Sequence, residues 1–88
     1  MFYVYIIYSK SLSIYYKGFT TELIKRLKYH NSGKSTYTSK ANDWEFVYSN
    51  FFETKREALI EEKRLKKLNR YSIEKLILDY PYNSSDTV

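Results

Sequence analysis

A chain of 88 residues with a formal net charge of +5, one histidine and no cysteine has room for a single domain that neither disulfides nor a thiolate metal site can staple. Aromatic residues make up 19% of it, with eleven tyrosines, so large rings supply the core that length restricts. No apolar run approaches the roughly 20 residues of a bilayer span, and the first segment is too short and aromatic for a secretory signal. These features exclude a helical membrane span and lead us to expect a soluble, cytoplasmic protein whose charge suits a polyanionic partner.

Phe2 to Tyr8 and Ile14 to Phe19 are aromatic and β-branched, and Ser9-Lys10-Ser11-Leu12-Ser13 separates them with turn-prone residues. That pattern predicts a β-hairpin. The first segment is apolar at every position, as a central strand covered on both faces would be. Gly18 marks a place where the backbone bends or something approaches it closely. A helix is expected from Thr21 to about Asn31, capped by Thr20, with Leu23, Ile24 and Leu27 turned inward and Gly33 past its end. Lys34 to Asp43, which holds Tyr37 and Thr38, reads as a polar surface loop.

Trp44 to Phe52 predicts a third strand. Thr54 with Glu57 three residues later is a capping-box signature, opening a helix that runs to about Leu68 or Asn69. Ile73, Leu76, Ile77 and Tyr80 recur at helical spacing, and Pro81 ends that last helix. The expectation is one domain over 1–80, a polar tail over 81–88, and an α+β fold of order β-β-α-β-α-α, with a small, mostly antiparallel three-stranded sheet flanked by helices.

Three polar groups stand out. Arg26 and His30 are one helical turn apart and share a face bordering the Leu23/Leu27 stripe. The plain reading pairs Arg26 with Glu22 and lets His30 cap the helix C-terminus; the other places both at the edge of a catalytic surface beside the hairpin. In the second helix Ala58, Leu59 and Leu65 define an apolar face with Glu62 inside its arc. An inward carboxylate costs several kcal/mol unless a charge meets it. That charge is either a metal ion, or a cation across the sheet, or simply Lys66 four residues on. Lys55 to Arg70 carries seven cations against three glutamates. The run is either a solvated face or a surface that neutralises backbone phosphates.

One histidine without cysteine excludes the familiar zinc clusters, and no Gly-rich phosphate loop or nucleophile elbow is present. A lone inward carboxylate instead suits Mg²⁺, which keeps most of its waters.

Tyr3-Val4-Tyr5, ten intervening residues and Tyr16-Lys17-Gly18, followed by Arg26, His30 and the later Glu62, resemble the GIY-YIG nuclease superfamily. The likeness is to its short bacterial UPF0213-type members and covers residues 2 to about 78. Tyr3-Val4-Tyr5 stands in place of Gly-Ile-Tyr, and Tyr16-Lys17-Gly18 in place of Tyr-Ile-Gly; both tyrosines and the second glycine are kept. The resemblance implies a phosphodiesterase using one divalent metal, Mg²⁺ or Mn²⁺, held by Glu62. Arg26 would bind the phosphate and stabilise developing charge. Tyr5 or Tyr16 would take a proton from the attacking water, Tyr5 being favoured, with His30 assisting. Asn69 is a candidate for the family's further polar residue near the end of the domain.

Lys17, Lys28, Lys34, Lys63, Lys66 and Lys67 are the expected nucleic-acid contacts, and DNA is the expected substrate. One small module buries only about 600–1,000 Å² of its surface on DNA, so structure rather than sequence should direct it. The alternatives are a binding module that uses the same cleft without cutting, and an interaction domain whose fold persists for structural reasons. A monomer or weak homodimer is expected.

Overall fold

The computed structural model describes residues 1–79. The element order is β1 (Phe2–Ser9), β2 (Ile14–Thr20), α1 (Leu23–Asn31), β3 (Trp44–Phe52), α2 (Lys55–Lys66) and α3 (Arg70–Asp79). The three strands form one antiparallel sheet in the order β2-β1-β3. β1 is central, and Val4, Tyr5, Ile6 and Ile7 are all fully buried, as an uninterrupted apolar strand requires.

Side chains alternate across a strand, so β1 separates two unlike layers. On one face Val4 and Ile6 join Tyr48, Ala58, Leu65 and Ile73 in the apolar core beneath α2 and α3. On the other, Tyr5 meets α1 through His30. A bulge between Ile6 and Ile7 shifts the pairing with β3. The hairpin turn is tied down by Asp43, whose carboxylate accepts from the Ser9 hydroxyl (2.7 Å) and the Ser11 amide (2.8 Å).

Several local expectations change once the chain is folded. Thr20 does not cap α1; it still belongs to β2, and its hydroxyl accepts from the Glu22 amide (3.0 Å) just before the helix. Ile24 is 68% exposed and Leu59 is 41% exposed, so neither belongs to an inward stripe. The buried residues of α2 are Ala58 and Leu65, one heptad apart, with Glu61 and Glu62 at the intervening positions of the same face. Thr54 does cap α2: its hydroxyl accepts from the Glu57 amide (3.2 Å), and the Glu57 carboxylate closes back on the hydroxyl itself (2.8 Å), not on the Thr54 amide as in a full capping box. α3 begins at Arg70 rather than Ile73 because Asn69 caps it, its side-chain oxygen accepting from the Ser72 amide (2.9 Å). The expected end of that helix at Tyr80 and the tail over 81–88 lie outside the described residues.

Candidate active site

The site forms where Tyr5 leans off the central strand across β2. Its cross-strand partner is Gly18, and a Cβ at that position would lie 2.6 Å from the Tyr5 Cζ and overlap the hydroxyl. Glycine is required here because the tyrosine ring occupies the space where a side chain would stand. Since β2 is an edge strand, the absent side chain lets the Tyr5 hydroxyl reach toward the border of the sheet.

Three groups remote in sequence converge on that hydroxyl. His30 Nε2 lies 2.8 Å from it, and Arg26 donates to it from Nε at 3.4 Å. The i, i+4 spacing on α1 delivers both from one face. The plain reading of these two residues therefore fails. Glu22 pairs with Lys25 (3.6 Å), Arg26 stacks over the Tyr29 ring at 4.7 Å, and His30 is fully buried. Behind the imidazole, Nδ1 lies 2.8 Å from the Thr38 hydroxyl, and the Thr38 carbonyl accepts from the Trp44 indole (3.0 Å). The segment read as a surface loop thus sends a wholly buried threonine into the site. No periodicity or motif in the polar stretch around Thr38 signals this.

Tyr16 joins through its ring, edge-on to His30 at 5.1 Å and tilted against Tyr37 at 5.3 Å. It is half-buried, whereas Tyr5 is sealed. Phe46 closes the far side of the Tyr5 ring edge-on at 5.8 Å.

The electrostatics follow from this enclosure. Burial pushes the Tyr5 phenol up to about 12, with Arg26 acting against the rise and the charges of Tyr16 and Glu62 adding to it. Burial, reinforced by the Arg26 cation, pulls the His30 imidazole down to about 4. At neutral pH the phenol keeps its proton and the imidazole is uncharged.

Glu62 belongs to α2, the helix on the opposite face, yet its charge reaches Tyr5. Its side chain is 19% exposed and pairs with Lys66 at 3.5 Å. Glu61 is engaged elsewhere: it accepts from Arg64 Nε and Nη2 (2.6 and 2.7 Å) and from the Tyr48 hydroxyl (3.4 Å). Among the described residues no three His, Cys, Asp or Glu side chains gather as a metal cage. A single recessed carboxylate still fits Mg²⁺ or Mn²⁺, which can complete their octahedra with water and phosphate oxygens.

The six expected lysine contacts come from several elements. Lys17 and Lys66 border a depression of about 200 Å³ with Tyr15, Tyr16 and Tyr37. Lys17 donates to the Leu68 carbonyl (3.3 Å), and burial with the nearby Lys66 charge lowers its pKa. Lys63 and Lys67 lie exposed on or just past α2, Lys28 on α1, and Lys34 in the segment that follows α1. Asn69 sits in the α2–α3 connection with its oxygen committed to the cap. Among the described residues no helix is long and apolar enough to cross a membrane.

Comparison with known proteins accords with this arrangement. The GIY-YIG catalytic domain matches residues 1–75. A UPF0213 protein of Clostridium perfringens is 46% identical over 71 residues, covering 80% of this chain and 75% of the relative. UPF0213 protein YazA of Bacillus subtilis is 40% identical over 75 residues, covering 84% and 75%. The solution NMR structure of a UPF0213 protein from Bacillus halodurans superposes with a TM-score of 0.62 at 33% identity, covering all of this chain and 95% of that one. A domain match over most of the chain, relatives of this identity and a shared fold agree: the chain belongs to the GIY-YIG nuclease superfamily, alongside the UPF0213 proteins.

Proposed function

We propose that the protein is a metal-dependent nuclease that hydrolyses phosphodiester bonds of DNA and selects its substrate by structure rather than by sequence. The observation that carries this reading is the convergence of Arg26 and His30 on the Tyr5 hydroxyl, with the half-buried Tyr16 beside them and the Glu62 charge felt at Tyr5.

Arg26 commits Nε to Tyr5, which fixes the plane of the guanidinium and leaves its Nη hydrogens for two oxygens of a phosphate. Charge that develops on the phosphate in the transition state is met by a cation already in place. Between the two tyrosines, exposure supports Tyr16 over the initially favoured Tyr5 as the group that, as a phenolate, would accept a proton from the attacking water. The Tyr5 oxygen is sealed, hydrogen-bonded on two sides and raised to about 12. Its role in this reading is to bind Arg26 and His30 into one unit. Glu62 would hold Mg²⁺ or Mn²⁺ with Lys66 displaced; the ion, when bound, would supply positive charge at the scissile phosphate and favour ionisation of the nucleophile. Lys17 and Lys66 would contact the flanking backbone.

The test uses plasmid and branched DNA with Mg²⁺ or Mn²⁺, and EDTA as control. Wild-type protein is expected to cut only with metal, and Arg26→Ala and Glu62→Ala are each expected to lose about 10²–10³-fold or more in rate with an unchanged circular dichroism spectrum. Cleavage by Glu62→Ala at the wild-type rate would remove this reading. Salt-sensitive binding with no cleavage under any metal would favour the second reading, a binding module; the Glu62–Lys66 pair, which already neutralises the carboxylate, is what supports it.

A further inference from the structure

Thr38 sits on the side of His30 away from Tyr5, and the four groups Arg26, Tyr5, His30 and Thr38 form one file of contacts at 3.4, 2.8 and 2.8 Å. Tyr5, His30 and Thr38 are each fully buried. A neutral imidazole carries one N–H and one acceptor nitrogen, so the file can run in only two directions. In one, Arg26 donates to Tyr5, Tyr5 to Nε2, and the Nδ1–H to the Thr38 oxygen. In the other, Thr38 donates to Nδ1, and the Tyr5 oxygen receives both Nε2–H and Arg26.

The two differ in how the bonds polarise one another. Arg26 can only donate, and its donation makes the Tyr5 hydroxyl a stronger donor in turn. Each bond then strengthens the next along a one-way chain that begins at a cation. The reverse direction breaks the chain at Tyr5, which would accept twice while its own hydrogen points away from every group in the file. Phenol is also the stronger acid of the two hydroxyls, so it is the better donor to the imidazole.

We propose that Thr38 is a positioning residue that accepts the Nδ1–H of His30, locks that tautomer, and so leaves Nε2 to receive the Tyr5 hydroxyl. The tautomer is a property of the free protein. Only its consequence, the alignment of Tyr5 with Arg26, rests on the nuclease reading. Trp44 supports the arrangement by holding the Thr38 backbone through its indole N–H.

His30 is the sole histidine, so the full chain labelled with ¹⁵N-histidine reports one imidazole. At pH 7 without metal or DNA, wild-type protein is expected to carry the proton on Nδ1. Thr38→Ser keeps the hydroxyl and the Nδ1–H signal, whereas Thr38→Val removes the acceptor and moves the proton to Nε2. A wild-type proton on Nε2 overturns the proposal, and so does an Nδ1–H that persists in Thr38→Val. If Thr38→Val unfolds, Tyr5→Phe gives the answer: Nδ1–H persists when Thr38 holds the tautomer and is lost when Tyr5 does. In cleavage assays Thr38→Val is expected to lower kcat about 10-fold with KM unchanged, and Thr38→Ser to restore it. A flipped tautomer with wild-type kcat would overturn the positioning role, and absence of cleavage by wild-type protein would strike the nuclease reading while leaving the tautomer result standing.

Discussion

Val4 and Ile6 look from β1 into a layer of Tyr48, Ala58, Leu65 and Ile73, while Tyr5, between them in the chain, looks into a layer of His30, Arg26 and Phe46. The first face is stabilised by area: each buried aliphatic side chain contributes about 1.5–3 kcal/mol and the shapes can adjust to one another. The second face buries hydroxyls and an imidazole, groups that cost about 1–3 kcal/mol each when left unpaired. Among the described residues none of its buried side-chain polar atoms lacks a partner. The apolar face therefore holds the fold together, and the polar face holds only while its hydrogen bonds are all made. One strand thus serves both stability and site geometry, with the roles divided by the parity of its residues.

Substitutions should separate the two faces. Leu65→Ala, in the apolar layer, is expected to cost about 2–5 kcal/mol by transfer and cavity terms, read as a lowered urea midpoint. A loss below about 1 kcal/mol would mean that the apolar face is not where stability resides. Gly18→Ala acts on the other face by driving a methyl group into the Tyr5 ring. Overpacking of this kind costs about 1–3 kcal/mol, and the displaced hydroxyl loses Arg26 and His30. In a Tyr5→Ala background, itself destabilised by the cavity left by a buried ring, the Gly18→Ala cost should shrink, and strict additivity in the double-mutant cycle would show that ring and glycine do not compete for the space.

The polar face should also show itself in the pH dependence of stability. His30 titrates at about 4 in the folded chain, against an ordinary 6.5. Between these values the unfolded chain takes up a proton that the folded chain refuses. Stability is then fully present above pH 6.5 and falls as pH drops toward 4, by at most about 1.4 kcal/mol per unit. Tyr5, raised to about 12, acts at the other end: its contribution is intact below pH 10 and is lost as pH rises toward 12. Urea titrations of wild type and His30→Gln from pH 7 to 4 test the acidic limb, and an unchanged slope in the variant would place the proton uptake elsewhere. The smallest effect belongs to neither face. Thr54→Ala removes the α2 cap and should cost about 1 kcal/mol, leaving cleavage unchanged.

What the chain alone determined is local or pairwise in sequence. β3 was legible to the residue, because turn-formers and a capping box bound an apolar run. The Thr54 cap formed because its donor and acceptor lie within one helical turn. The central place of β1 followed from its unbroken apolar run, and the spacing of Tyr5, Tyr16, Arg26, His30 and Glu62 carried the family. Asn69 was read only as a possible end of α2 and a candidate site residue, and α3, read from its apolar period, began too late because the cap went unread.

The rest required the folded chain. Periodicity gives the direction of a helix face without its width, so Ile24 and Leu59 could not be recognised as exposed until the sheet set how much each helix buries. The contacts that define the site join residues 25, 21 and 8 positions apart. No propensity or spacing rule acts over such separations. Whether Arg26 pairs with Glu22 or Tyr5, whether His30 caps or is buried, and whether Thr38 faces water or the imidazole were each decided by one tertiary event: β1 and β2 pair at Tyr5 and Gly18, and α1 docks over the ring that results.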